Sequence, residues 1–146
     1  MIPRYSRAPM TEIWSDTNKY NIWLDIELYA CEAMEQLGTV PKGTAKKIRS
    51  KAKINPARID KIEREVKHDV IAFLTSVAEY AGPAARFLHQ GLTSSDVLDT
   101  AFNVQLSKSS TLILKEVDLL LKAIKKIAIK HKHTACVGRS LSLIHI

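Results

Sequence analysis

Residues 92–137, LTSSDVLDTAFNVQLSKSSTLILKEVDLLLKAIKKIAIKHKHTACV, contain neither glycine nor proline, and they decide the fold class. Ser94 or Ser95 is a suitable N-cap, so a single helix is predicted from there to about residue 131. At the rise of an α-helix this segment would span roughly 50 Å, a length typical of helical bundles.

Such a helix needs partner helices to cover its apolar positions, among them Leu112, Leu119, Leu120, Ile124 and Ile127. The residues that precede it can cover only one end. We therefore expect that other chains, or a longer chain, supply the rest.

The preceding residues are also predicted to be helical. After an N-cap at Ser15 or Asp16, one apolar face recurs at helical spacing, and Gly38 is expected to end that helix; the face consists of Trp23, Ile26, Ala30, Ala33 and Leu37. Further helices are predicted at about 42–52, 56–66 and 69–81, with a loop over 84–93. No segment shows strand alternation. The prediction is all-α, with a small helical domain over residues 1–93 and the start of a helical bundle over 94–140.

The composition excludes several classes of protein. The 146 residues are 46% hydrophobic and 25% charged, which is not the composition of a collagen-like or disordered chain. No apolar run reaches the roughly 18–20 residues of a membrane span, and the N-terminus lacks the apolar core of a signal peptide. Cys31 and Cys136 have no metal-type spacing. We expect a cytoplasmic protein with no metal and no cofactor.

The net charge of +7 is unevenly distributed. Residues 41–67 have a net charge of +7 and residues 115–132 of +4, so a basic helical module that binds nucleic acid or a partner helix is one hypothesis. However, no aromatic residues interleave with the lysines of the first segment, as a base-stacking surface requires. A solvated helix face and no nucleic-acid partner is the interpretation we favour.

Two short motifs have both a functional and a structural interpretation. Arg4-Tyr5 offers a guanidinium that binds phosphate or carboxylate, although such pairs also occur on ordinary surfaces. Lys67-His68-Asp69, at a predicted helix start, combines a cation, a titratable donor and the helix dipole. The alternative is that His68 caps the helix and Asp69 is a first-turn acid.

A third motif, His89-Gln90-Gly91-Leu92-Thr93-Ser94-Ser95-Asp96, leads into the long helix. First-turn N–H groups together with the Thr93 and Ser94 hydroxyls would form an anion site. An ordinary Ser-x-x-Asp cap at Ser95 is the alternative. Three consecutive hydroxyls exceed what capping requires, which favours function. By contrast, the histidines of Lys130-His131-Lys132-His133 lack the i, i+4 spacing of a metal pair and indicate a solvated helix end.

Five stretches of the chain resemble the N-terminal part of the adenylosuccinate lyases, a family of the fumarase/aspartase superfamily. They are RYSRAPMTEIWSD (4–16), WLDIELYACEAMEQLG (23–38), KHDVIAF (67–73), HQGLTSSDVLDTA (89–101) and HKHTACVGRS (131–140). The resemblance implies a fumarase/aspartase-type bundle. It also implies β-elimination of fumarate from adenylosuccinate, giving AMP, and from succinylated aminoimidazole carboxamide ribotide, in purine biosynthesis.

The resemblance also implies residue roles. Arg4 and Tyr5 would contact the substrate phosphate. Lys67, His68 and Asp69 would form a second substrate-binding block, in which His68 assists at the phosphate or the acid. His89 would contact the nucleotide, and Thr93 with Ser94 would bind a succinyl carboxylate. Family members are homotetramers in which three chains build each active site, which would account for the uncovered helix.

The chain departs from the family pattern after Ser140. The family's general-acid histidine falls where this chain has Leu141, and His145 lies four residues too late. One reading frame of a common transposon-type sequencing adapter encodes LSLIHI. We therefore expect residues 141–146 to be an artefact that truncates the chain, the alternative being a natural short paralogue with a new tail.

We predict that the purified 146-residue chain has no turnover. Leu141 cannot donate a proton, and the family's flexible loop that supplies the base is not encoded. Loss of either an acid or a base typically costs about 10²–10⁴-fold in rate. Fumarate release from adenylosuccinate is the measurement, and release above a no-protein control would contradict the prediction.

Overall fold

The structure, a computed structural model, describes residues 2–138 and is all-α over that range, as predicted. It contains six α-helices and two short 3-10 helices, Pro3–Tyr5 and Gly82–Phe87. The α-helices are α1 (Ala8–Ile13), α2 (Asp16–Gln36), α3 (Thr44–Lys51), α4 (Pro56–Val66), α5 (Asp69–Ala81) and α6 (Ser94–His131).

The chain divides into two units, one ending at Ser110 and the other beginning at Thr111. Helix α6 contributes residues to both. The predicted domain boundary between residues 93 and 94 stays a prediction. Residues 139–146 lie outside the described residues. The interpretations of Leu141 and of residues 141–146 as an artefact therefore stay predictions.

Three aromatic rings form the centre of the first unit. Phe73 of α5 is fully buried and stacks on Tyr20 with ring centroids 5.9 Å apart. Trp23 meets both rings edge-on, at 5.2 Å from Tyr20 and 5.4 Å from Phe73. Edge-to-face and offset-stacked contacts of this kind add to the free energy gained by burial. They fix α2 against α5.

The buried face of α2 differs from the predicted one. Trp23 is buried as expected, but Ala33 and Leu37 are exposed, Leu37 by 78%. The buried residues of the helix are Tyr20, Ile22, Trp23, Leu24, Glu27, Leu28 and Cys31. The prediction was wrong at its C-terminal end because the chain leaves the helix at Leu37, and Val40 enters the core instead.

Gly38 ends α2, as predicted. Its φ of 77° is left-handed, which glycine adopts without steric cost. The Gly38 N–H donates to the Glu35 carbonyl at 3.2 Å and the Thr39 N–H to the Met34 carbonyl at 3.0 Å, the two bonds of a Schellman motif. The Glu35 side chain then accepts hydrogen bonds from the N–H groups of Gly43 and Ala45 at the start of α3.

Side-chain caps set the start of most other helices. Ser15 accepts from the Asn18 N–H and Asn55 from the Arg58 N–H, which confirms those two predicted starts. The helices predicted over 56–66 and 69–81 have those bounds. A loop was predicted over 84–93, but its first residues belong to the 3-10 helix Gly82–Phe87. Pro83 supports a helical first turn directly after Gly82.

In the second unit, α6 carries many exposed apolar side chains. None of the helices in residues 2–138 combines the length and hydropathy needed to cross a bilayer. The exposed apolar residues, each at least 43% exposed, are Ile113, Leu114, Val117, Leu119, Leu120, Leu121, Ile124, Ile127 and Ile129. Water contact with so many large apolar groups is unfavourable, and such patches mark association surfaces.

We therefore predict that the isolated chain self-associates through this surface. Sedimentation velocity should show mass rising with concentration, and the thermal transition should shift upward with concentration. The double variant Leu121→Glu/Ile124→Glu should reduce both effects, whereas Lys122→Glu/Lys125→Glu on the same turns serves as the matched control. A sharp monomer transition that is independent of concentration would contradict the prediction.

Candidate functional site

The loop His89–Thr93 connects the 3-10 helix Gly82–Phe87 to α6. At its start, His89 is bound twice by Glu27 of α2. The His89 backbone N–H donates to Glu27 Oε2 at 2.6 Å, and Nδ1 lies 2.7 Å from Glu27 Oε1. Glu27 is 1% exposed, whereas the His89 side chain is 20% exposed. The loop is thus attached to the core through a buried carboxylate.

The end of the loop is closed by a reciprocal cap. The Thr93 N–H and hydroxyl both donate to Asp96 Oδ2, at 2.7 and 3.0 Å, and Thr93 Oγ1 accepts from the Asp96 N–H at 3.4 Å. This is a capping box with Thr93 as the N-cap. The predicted caps, Ser94 or Ser95, were wrong because the Asp96 carboxylate reaches back to the residue that precedes the helix.

This cap leaves two hydroxyls available. Within residues 2–138, the side chains of Ser94 and Ser95 make no hydrogen bond, and both are at least partly exposed. Because Thr93 alone caps the helix, the following two hydroxyls have no capping duty. They lie at a helix N-terminus, where N–H groups and the dipole favour an anion.

Electrostatics link the two ends of the loop. The Thr93 N–H and hydroxyl lower the pKa of Asp96 below its ordinary value of 3.8, and an electrostatic interaction with His89 also lowers it. Gly91, with φ of 72°, lies between them, and a Cβ there would be 3.7 Å from the Met34 Cε atom. The loop therefore closes on itself and lies against α2.

The Lys67-His68-Asp69 block lies at the α4–α5 junction. Lys67 ends α4 in a left-handed conformation with φ of 56°. His68 is the N-cap of α5, and its Nδ1 accepts from the Ile71 N–H at 3.3 Å. The Asp69 carboxylate oxygen Oδ1 lies farther from Nδ1, at 3.6 Å, and with Nδ1 accepting from the Ile71 N–H a neutral ring holds its proton on Nε2. His68 thus caps the helix and still presents a donor, because its side chain is 46% exposed.

Arg4 and Tyr5 lie in the first 3-10 helix. The Arg4 guanidinium lies 4.9 Å from the centroid of the Tyr5 ring, which is 75% exposed. Within residues 2–138, no hydrogen bond or ion pair joins this pair to Lys67–Asp69 or to His89–Ser94. Within the described residues, the three groups of predicted site residues are thus not joined to one another by polar contacts.

Several basic residues between Lys42 and Lys67 lie close to acidic side chains. Arg49 pairs with Asp25 at 2.7 Å, and Arg58 forms a forked ion pair with Glu79. A depression of about 470 Å³ in this region is lined by both signs of charge: Asp60, Glu63, Arg64 and Lys67. Lys46, Lys47, Lys51 and Lys53 are exposed, as on a solvated face.

Comparisons with known proteins identify the family. The family model described as a lyase matches residues 4–141. The chain belongs to this lyase family. The adenylosuccinate lyase of Synechocystis sp. is 51% identical over 140 residues, which are 96% of this chain and 32% of that protein. The adenylosuccinate lyase of Aquifex aeolicus is 41% identical over 143 residues, 96% of this chain and 33% of that protein.

The lyase chain thus spans about a third of the length of these curated relatives, and the resemblance read from the sequence is confirmed. Two solved structures share its fold at 24% identity. A fumarate lyase from Mesorhizobium sp. BNC1 has a TM-score of 0.82 over 94% of this chain and 34% of that one. The β-carboxy-cis,cis-muconate cycloisomerase from Acinetobacter calcoaceticus sp. ADP1 has a TM-score of 0.81 over 92% and 33%.

Glu27 is the residue that the sequence analysis missed. It lies in the apolar sequence Trp23-Leu24 … Leu28, on the face that the core covers. An acidic residue in the buried stripe of a helix must be paired, because an isolated buried charge is costly. The signal in the sequence was therefore an acidic residue at a core-facing position of α2. It was not recognised because the predicted buried face of that helix did not include Glu27.

We predict that Asp96→Asn lowers stability mainly above pH 4. A carboxyl whose pKa is depressed on folding contributes stability above its unfolded pKa, near 3.8, and loses it as the pH falls through the folded value. Denaturant midpoints of wild type and variant should therefore differ at pH 7 and converge toward pH 3.

Asp99→Asn is the matched control, since it removes the same charge from the next turn of α6, where the exposed side chain makes no hydrogen bond within residues 2–138. It should change the midpoint little at either pH. An Asp96→Asn effect of equal size at pH 7 and pH 3 would argue against the capping box.

Proposed function

We propose that this chain forms the N-terminal third of an adenylosuccinate lyase. That enzyme eliminates fumarate from adenylosuccinate to give AMP, and from succinylated aminoimidazole carboxamide ribotide, in purine and AMP biosynthesis. The observation that carries the proposal is the 51% identity to the Synechocystis enzyme over 140 residues. The cytoplasmic location predicted from the sequence belongs to the same proposal.

The start of α6 suits a succinyl carboxylate. Ser94 and Ser95 offer hydroxyls without partners in residues 2–138, next to the N–H groups of a helix first turn. Asp96 already occupies the Thr93 N–H and hydroxyl, so Thr93 contributes by shaping the turn that aims the Ser94 hydroxyl. A carboxylate bound here would hold the succinyl group while its C–H bond is broken.

The other groups suit the nucleotide part of the substrate. Arg4 and Tyr5 are exposed and would bind the phosphate, with Lys67 and Asp69 in the second substrate block. His68 presents Nε2–H as a donor, which fits an assisting role at the phosphate or at the departing nitrogen. His89 would contact the nucleotide through Nε2.

The elimination requires a base, an acid and a stabilised carbanion. A base removes a proton from the succinyl carbon, the C–N bond breaks as the electron pair leaves on nitrogen, and an acid protonates that nitrogen. The described residues supply binding and positioning groups for these steps. No group of three His, Cys, Asp or Glu side chains in residues 2–138 converges as a metal site would require.

A homotetramer would allow the three groups of one site to come from different chains. If three chains build each site, then Arg4, Lys67–Asp69 and His89–Ser94 need not meet within one chain. The exposed apolar surface of α6 beyond Thr111 is the expected contact between copies. The basic-module alternative is not favoured, because it uses neither the serine hydroxyls nor Arg4-Tyr5.

The direct test is a chimera. The stretch aligned with the Synechocystis enzyme replaces the corresponding N-terminal third of that enzyme, and fumarate release from adenylosuccinate is followed with the unmodified enzyme as reference. We expect the chimera to be active. A folded chimera with the reference enzyme's oligomeric mass but without activity would contradict the proposed function.

Within an active chimera, Ser94→Ala should lower kcat/KM about 10- to 100-fold, the loss expected for one hydrogen bond to a charged group. Ser94→Thr keeps a hydroxyl and should retain most activity. Ser107→Ala removes a hydroxyl from a later turn of the same helix and is the matched control. An unchanged kcat/KM in Ser94→Ala would remove Ser94 from the carboxylate site.

A further inference from the structure

Glu27 is a buried acid to which the proposed reaction assigns no role. It is 1% exposed and lies on α2 between the buried Leu24 and Leu28. Placing a charge there is costly unless it is paired and hydrogen-bonded. Both of its oxygens bind one residue, His89, through the backbone N–H and through Nδ1.

The pairing determines where the ring of His89 carries its proton. An ionised carboxylate can only accept, so when Glu27 is ionised the Nδ1 atom at 2.7 Å is the donor. In the neutral ring the proton then resides on Nδ1, and Nε2 is the open nitrogen. Within residues 2–138, Nε2 makes no hydrogen bond, and it is not among the buried unpaired atoms. His68 is held in the opposite tautomer.

The Glu27 carboxylate also stabilises an unfavourable backbone conformation at His89. His89 has φ of 61°, and with Lys67 it is one of two non-glycine residues with positive φ in residues 2–138. The left-handed region is sterically unfavourable for a residue that has a Cβ atom. The 2.6 Å bond from the His89 N–H to Glu27 Oε2 stabilises that conformation from inside the core.

We propose that Glu27 is a positioning residue for His89: it holds the left-handed backbone and the Nδ1-protonated tautomer, so that Nε2 is the ring nitrogen presented to a ligand. The positioning itself is independent of the ligand, and its use toward a nucleotide rests on the proposed function.

The test is the ¹⁵N spectrum of the histidines in the full 146-residue chain, recorded by solid-state NMR, which tolerates self-association. The His89 signals are assigned by their loss in His89→Gln. In the neutral ring we expect Nδ1 to be protonated and Nε2 unprotonated. A predominant Nε2–H form in the wild-type chain would overturn the proposal without any further variant.

Glu27→Gln then tests the cause. The Gln amide still accepts from the His89 N–H, but its NH₂ faces Nδ1, so the ring should change from mainly Nδ1–H to mainly Nε2–H. Glu35→Gln is the matched control, because Glu35 on the same helix binds two backbone N–H groups of α3 and does not bind His89. An unchanged His89 tautomer in a folded Glu27→Gln chain would also overturn the proposal.

Discussion

The pairing of Glu27 with His89 is the interaction on which the arrangement of the site depends. It joins the interior of α2 to the loop that starts α6, across 62 positions of sequence, through two hydrogen bonds to one buried carboxylate. Without this pairing, no other hydrogen bond of the His89 N–H or ring would stabilise its left-handed conformation within residues 2–138. The Thr93–Asp96 cap fixes the other end of the loop, so the first turn of α6 has a defined position relative to α2.

Side-chain caps and carboxylates also fix the starts of helices elsewhere in the first unit. The helix starts at Asp16, Pro56, Asp69 and Ser94 are each preceded by a side chain that accepts a first-turn N–H, and Glu35 does so for α3 from a distance in sequence. Each cap satisfies a backbone donor that the helix itself leaves unpaired. His68 and Thr93 are helix caps and also residues of the proposed site. Each of these side chains therefore serves both helix stability and the proposed function.

The sequence predicted most of the fold because helix ends are local. The conformational preferences of Asn55-Pro56 and of Gly38 specify the local turns. The bounds of α4 and α5 and the end of α2 could therefore be predicted. The predictions that were wrong needed tertiary information. The buried face of α2 depended on where Val40 returns to the core, and the cap of α6 depended on which residue donates to the Asp96 carboxylate, Thr93 or one of the two serines after it. Glu27 was missed because its partner is remote in the sequence.

The strained positions coincide with the proposed substrate blocks. The two non-glycine residues with positive φ in residues 2–138, Lys67 and His89, fall in the two blocks that the resemblance assigns to substrate, although the resemblance contains no conformational information. Strain of this kind persists only where the surrounding structure holds it, and it is concentrated at functional sites. At His89 the holding group is Glu27. Lys67 is followed directly by the cap in which His68 accepts from the Ile71 N–H, and α5 begins at Asp69, three residues after α4 ends at Val66. The left-handed Lys67 directly precedes His68, the N-cap of α5, whereas His89 is itself left-handed and lies in the loop before α6. The opposite tautomers of the two histidines then give the chain one ring with Nε2 as a donor and one with Nε2 as an acceptor.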